Sequence, residues 1–144
     1  MIAAVTTNED VLREWLAAGD RGDLATFDRY LHPDVVVHAP LGLSSKGIDA
    51  EKRVWADARR AVPDICHTVQ ESMTIGTRSA ARVVVSGTLV GDFAGIEASG
   101  RSFELDQVVW AHFDETGLIV EAWEIADTGS LLRELEADDV ATAK

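Results

Sequence analysis

SFELDQVVWAHFDETGLIVEAWEIAD, Ser102–Asp127, is the stretch whose reading decides the fold. Apolar and polar residues alternate on both sides of Asp114-Glu115-Thr116-Gly117, the pattern of two strands joined by a tight turn. If those four residues form the turn, Phe113 faces Leu118, Val109 faces Ala122 and Gln107 faces Glu124. Side chains alternate across a strand, so the hairpin divides into two faces. One holds Leu105, Gln107, Val109, Ala111 and Phe113 with Leu118, Val120, Ala122, Glu124 and Ala126. The other holds Asp106, Val108, Trp110 and His112 with Ile119, Glu121, Trp123, Ile125 and Asp127. The first face is apolar apart from Gln107 and Glu124, and is therefore the inner one.

A carboxylate and an amide set side by side on an apolar face are costly unless they are paired, neutralised or hydrated. Two readings follow. Glu124 is a pocket carboxyl with a raised pKa, oriented by Gln107 and poised for proton transfer. Alternatively, Glu124 reaches water at an edge, or is simply held by a structural hydrogen bond. The small residues Ala111, Ala122 and Ala126 favour a hollow on this face, unless Trp15, Tyr30 or Trp55 fills it from the helices.

Working outward, the period of two extends back to Cys66, giving strands over about 66–75, 80–93, 102–113 and 118–127. Before Cys66 the period is helical. A helix over 8–19 places Val11, Leu12, Trp15 and Leu16 on one face, with Thr7 and Asp10 as a capping box and Gly19 as the stop. A second helix covers about 24–31 and ends at His32-Pro33. A short β-branched strand follows over 34–39, then a loop over 40–46. A third helix over 47–61 carries an apolar stripe of Ala50, Val54, Ala58 and Ala61, and Pro63 stops it. A closing helix covers about 130–136, and 137–144 reads as a loose tail. Short joints between consecutive strands require an antiparallel meander. The expected fold class is thus α+β, one domain over 1–144 with a core over about 8–136, a curved antiparallel sheet and three N-terminal helices packed on one face.

Composition narrows the function. The chain has 144 residues and a formal net charge of -12. Such an acidic surface disfavours nucleic acid and anionic membrane as partners. Cys66 is a lone cysteine, which leaves no disulfide framework. Residues 1–7 lack the charged and apolar regions of a signal peptide, so a cytoplasmic location is expected. No histidine or carboxylate set has metal-ligand spacing on a common face, and no glycine pattern matches a dinucleotide fingerprint, so neither metal nor cofactor is expected.

Three segments, His32–Pro40, Ser86–Ile96 and Gly117–Glu124, resemble the SnoaL-like polyketide cyclases of the nuclear-transport-factor-2-like superfamily. The resemblance covers about residues 8–136. It implies a cone-shaped sheet with the helices on its concave face, a fold that also hosts isomerases, dehydratases, epoxide hydrolases and non-catalytic binders. In the characterised cyclases an aspartate directly after the last-strand tryptophan is the acid/base of an intramolecular aldol closure. Glu124, after Trp123, occupies that position. A glutamine and a histidine on the preceding strand assist there; Gln107 matches the first, and Val109 stands where the histidine would be.

Residues and resemblance together predict a cofactor-independent acid/base enzyme for a small hydrophobic carbonyl or cyclic compound. Glu124 would move the proton, Gln107 would orient it or bind an oxyanion, and Trp15, Tyr30, Trp55, Val109 and Ala122 would form the pocket wall. His38, at the end of the first strand, is a further candidate at the rim. His32 and His67 read as loop and strand-edge residues, His112 as an outer-face residue and Asp127 as a helix cap. The alternative is a binding protein that uses the same pocket without chemistry. Trp110 and Trp123 on the outer face suggest a homodimer.

Overall fold

The computed structural model describes residues 7–142, with side chains up to 136. The reading of residues 1–6 therefore lies outside the described residues. Helix α1 (Asn8–Arg21) starts where Thr7 Oγ1 accepts from the Asp10 amide at 3.0 Å. It runs past Gly19 and stops at Gly22, whose φ of 77° is the left-handed geometry that glycine adopts without strain. Gly19 serves a different purpose: a Cβ there would meet the Trp55 ring at 2.4 Å, so its hydrogen lets helix and indole touch.

The second helix is a 3-10 segment, Leu24–Arg29. Strand β1 (Leu31–His38) begins earlier than its β-branched core suggests and carries Pro33 within it. Pro33 falls where the pairing with the last strand is interrupted, so its missing N–H breaks no ladder bond. A two-residue strand β2 (Ser45–Lys46), read from the sequence as loop, precedes α2 (Ile48–Ala61). Strands β3 (Cys66–Ile75), β4 (Arg78–Thr88), β5 (Ser102–Phe113) and β6 (Ile119–Ala126) follow, then α3 (Thr128–Thr142). The helix α3 takes up most of the segment read as a tail.

The sheet order is β2-β1-β6-β5-β4-β3. All pairs are antiparallel except β1 with β6, which run parallel because the meander returns to the first strand from the far side. The sheet curves without closing. Its concave side packs on Leu12, Trp15, Leu16, Phe27 and Trp55 from the helices against Val35, Val37, Val83, Val109 and Ile119.

The β5–β6 register differs from expectation in an instructive way. The Asp114 amide donates to the Leu118 carbonyl at 2.9 Å, while its carboxylate accepts from Thr116 and from the Leu118 amide at 3.0 Å. Phe113 consequently pairs with Ile119, one residue beyond the expected Leu118. A second irregularity at Val120 shifts the ladder by one more, so that Ala111 meets Ala122, Val109 meets Glu124 and Gln107 meets Ala126. Two single-residue shifts cancel in parity, so Glu124 and Gln107 keep the inner face although their partners change. Between the shifts parity is reversed, and Ile119 becomes fully buried instead of facing outward.

Candidate functional site

The cone encloses a cavity of about 140 Å³ between α2, α3, the sheet and the loop over 89–101. Its wall is mostly apolar and includes Trp55, Leu89, Phe93, Phe103, Leu105 and Leu131. Polar side chains enter it at few places, among them Glu124 and Gln107 from the sheet, Glu51 from α2 and His67 from β3. The four come from four different elements, α2, β3, β5 and β6.

Glu124 projects from β6 among Leu105, Ala126 and Leu131 and has no hydrogen-bond partner among the described residues. Burial pushes its pKa up from 4.5 to about 8, and the nearby charge of Glu51 adds to the shift. Gln107, 6% exposed, lies diagonally across the ladder from Glu124 rather than opposite it, and no hydrogen bond joins them. The expected amide lock is absent because the register moved by two residues.

Glu51 is the second carboxyl of the cavity, and it was missing from the sequence reading. It is 2% exposed; one oxygen accepts from Ser45 Oγ at 2.7 Å and the other from Trp55 Nε1 at 3.0 Å. Burial raises its pKa to about 7, against the lowering effect of those two bonds. Its signal was helical spacing: Glu51, Trp55 and Ala58 lie one turn apart on a stripe displaced by one residue from the stripe of Val54. Two carboxyls of one cavity, Glu51 buried and Glu124 half-buried, repel as charges and hold their protons near neutral pH, and they titrate as a pair.

His67 also departs from expectation. Ile65, His67 and Val69 alternate inward at the start of β3, so the ring faces the cavity instead of an edge. Asp20, on the last turn of α1, accepts from both His67 Nδ1 at 2.7 Å and the His67 amide at 2.6 Å. Trp55 covers the ring, with centroids 5.1 Å apart.

Of the expected wall residues, Trp55 alone lines the cavity. Trp15, Val109 and Ala122 are fully buried in the core beneath it. Trp15 packs edge-on to Trp55 with centroids 6.4 Å apart and fills the space that a hollow would have needed. Tyr30 is buried at the opposite end of the cone, near Thr7 and Leu118. His38 is corrected as well. It lies on the outer face, stacked on Trp123 with centroids 5.1 Å apart, and its Nε2 is 2.6 Å from Glu121. Strand alternation sends His38 outward because Val37, its neighbour, points into the core. Asp127 behaves as the expected cap, accepting from the Ser130 amide at 3.1 Å.

A family model described as SnoaL-like polyketide cyclase matches residues 9–135. No curated protein matches the chain. Among solved structures, IdmH from Streptomyces antibioticus, described as a candidate polyketide cyclase, is 28% identical. The match covers 90% of this chain and 99% of that one, with a TM-score of 0.79. TsrD from Streptomyces laurentii is 29% identical over 90% of this chain and 94% of its own, also at 0.79. A protein from Jannaschia described as a candidate SnoaL-like polyketide cyclase, 15% identical and covering 95% of this chain and 97% of its own, shares the fold at a TM-score of 0.81.

Proposed function

The chain belongs to the SnoaL-like polyketide cyclase family, and from that premise we propose that it is a cofactor-independent acid/base enzyme of cyclase or isomerase type. Its substrate is a small, mostly apolar carbonyl or cyclic compound held in the cone cavity. The observation that carries this reading is Glu124: a carboxyl with no hydrogen-bond partner among the described residues, in a largely apolar cavity, with its pKa raised to about 8. Such a group gives a proton to a developing alkoxide as the neutral acid and accepts one from carbon as the carboxylate, both near physiological pH. Glu51 supports the neutral form by charge repulsion. The Gln107 amide, unbound to Glu124, is free to donate to a substrate oxygen.

Small diketones able to close a ring are the test compounds, followed by absorbance and by mass, since cyclisation without dehydration leaves the mass unchanged. Glu124→Gln keeps the shape and removes the proton. The expected result is ligand binding close to wild type with turnover lowered by roughly 100-fold or more. Binding in both proteins without turnover in either supports the alternative, a non-catalytic binder of small hydrophobic molecules.

A homodimer through the outer sheet face belongs to the same proposal. Trp110, Val108 and Ile125 are exposed there, at 40%, 41% and 64%. An apolar cluster of that kind on one sheet face suits a second copy of the chain. Light scattering at micromolar concentration is expected to give twice the chain mass; a monomer mass removes this part.

A further inference from the structure

The histidine–carboxylate pair at the cavity wall, His67 with Asp20, has no part in the reading above. Asp20 spends both carboxylate oxygens on His67: one on the ring at Nδ1, the other on the backbone amide of the same residue. Arg59 donates to the Asp20 carbonyl, and Trp55 covers one face of the imidazole. The ring is thus held along its edge, on its face and through its backbone. Such restraint exceeds what a buried histidine needs for one hydrogen bond.

The restraint also decides the tautomer. A carboxylate only accepts, so the ring proton belongs on Nδ1, and Nε2 keeps its lone pair. No described residue bonds to Nε2, and His67 is part of the cavity wall. The side chains of His67 and Asp20 are 8% and 15% exposed, so bulk water contributes little to the pair.

We propose that His67, with its ring set by Asp20, is a second proton-transfer group of this cavity and acts through Nε2 as a base on an acidic C–H of the bound molecule. The proposal rests on the acid/base reading of the cavity and assigns its two directions to different walls. His67 takes the proton from carbon, and the neutral Glu124 gives one to the oxygen that gains electron density. The electron pair of the broken C–H bond passes into the substrate, as an enolate or directly into a new bond. The imidazolium formed is stabilised by Asp20 and returns its proton to water or product. The substrate class that needs both groups carries a C–H beside a carbonyl and a second electrophilic oxygen-bearing carbon.

The test uses 5-nitrobenzisoxazole, a flat apolar probe with one acidic C–H. A base removes that proton, the C–H electrons complete a nitrile, the N–O bond breaks, and a coloured phenolate leaves. At pH 7 the wild-type protein is expected to accelerate this elimination above buffer. His67→Gln is expected to lower kcat/KM by at least about 100-fold. Asp20→Asn is expected to lose a similar factor, because an amide turned toward Nδ1 as donor favours the wrong tautomer. His38→Gln, which alters only the outer pair, leaves the rate unchanged.

If Glu124→Gln abolishes the elimination while His67→Gln does not, the proposal is overturned and the role of Glu124 stands. If the wild-type protein gives no elimination above buffer, both are overturned. Long-range proton–nitrogen correlation on the wild-type protein provides a readout that needs no variant to fold. A His67 proton on Nδ1 is expected, and a proton on Nε2 overturns the proposal.

Discussion

His38 and His67 each hold a carboxylate at almost the same distance, 2.6 Å to Glu121 and 2.7 Å to Asp20. Each also packs on a tryptophan, Trp123 and Trp55 respectively, with ring centroids 5.1 Å apart in both cases. The difference is solvent. On the outer face the two side chains are 45% and 38% exposed, and on the inner face 8% and 15%. Water screens the outer pair, so its attraction is weak and neither group depends on the other to stay solvated. Inside the cone each partner would be stranded without the other, and the geometry is correspondingly over-determined by Arg59, Trp55 and the His67 amide. Equal contact distances thus describe a marginal contact in one region and a committed one in the other.

The sharpest way to break this comparison is to remove one carboxylate from each pair. Asp20→Ala leaves a buried imidazole and a backbone N–H without partners and is expected to destabilise the fold by about 3–5 kcal/mol in a denaturant titration. Glu121→Ala, measured the same way, should cost less than about 1 kcal/mol. Similar costs for the two variants would mean that burial does not separate the pairs.

The inner face also dominates the pH dependence of stability. Glu51 and Glu124 bind protons in the folded chain, with pKa values of about 7 and 8, whereas the unfolded chain releases them near 4.5. Folded-state values above the unfolded ones mean that the associated stability is complete below pH 4.5. It falls as pH rises through 7 and 8 and is level above about 9. The loss is read as a denaturation midpoint that falls between about pH 4.5 and pH 9. Asp64, Asp114 and Asp127, whose hydrogen bonds hold their values below the usual 3.8, act only on the acid side and leave this window to the two cavity carboxyls. In the Glu51→Gln, Glu124→Gln double variant the slope should flatten; if it persists, the two carboxyls are not its source.

Much of this site was legible in the residues. Glu124 and Gln107 stood out because they interrupt an apolar face, and a period of two assigns faces without knowledge of partners. The expected contact between them was wrong because register depends on how Asp114 folds its own turn and on the bulge at Val120. Glu51 and His67 were also on readable stripes, but a charged residue on a helix and a histidine at a strand start have solvated explanations that pattern alone cannot reject.

The sequence by itself determined the α+β class, the order of the helices and long strands, and the inward direction of Glu124. Each of these follows from local periodicity, capping and turn chemistry along a single element. Only the tertiary structure decided what Glu124 meets. Glu51 comes from α2, Asp20 from α1 and His67 from β3, and their encounter depends on how the sheet curves and how closely Gly19 lets α1 approach Trp55. Proton affinity in the cavity is a property of that encounter, because desolvation and charge repulsion act through space, between residues that no spacing rule relates.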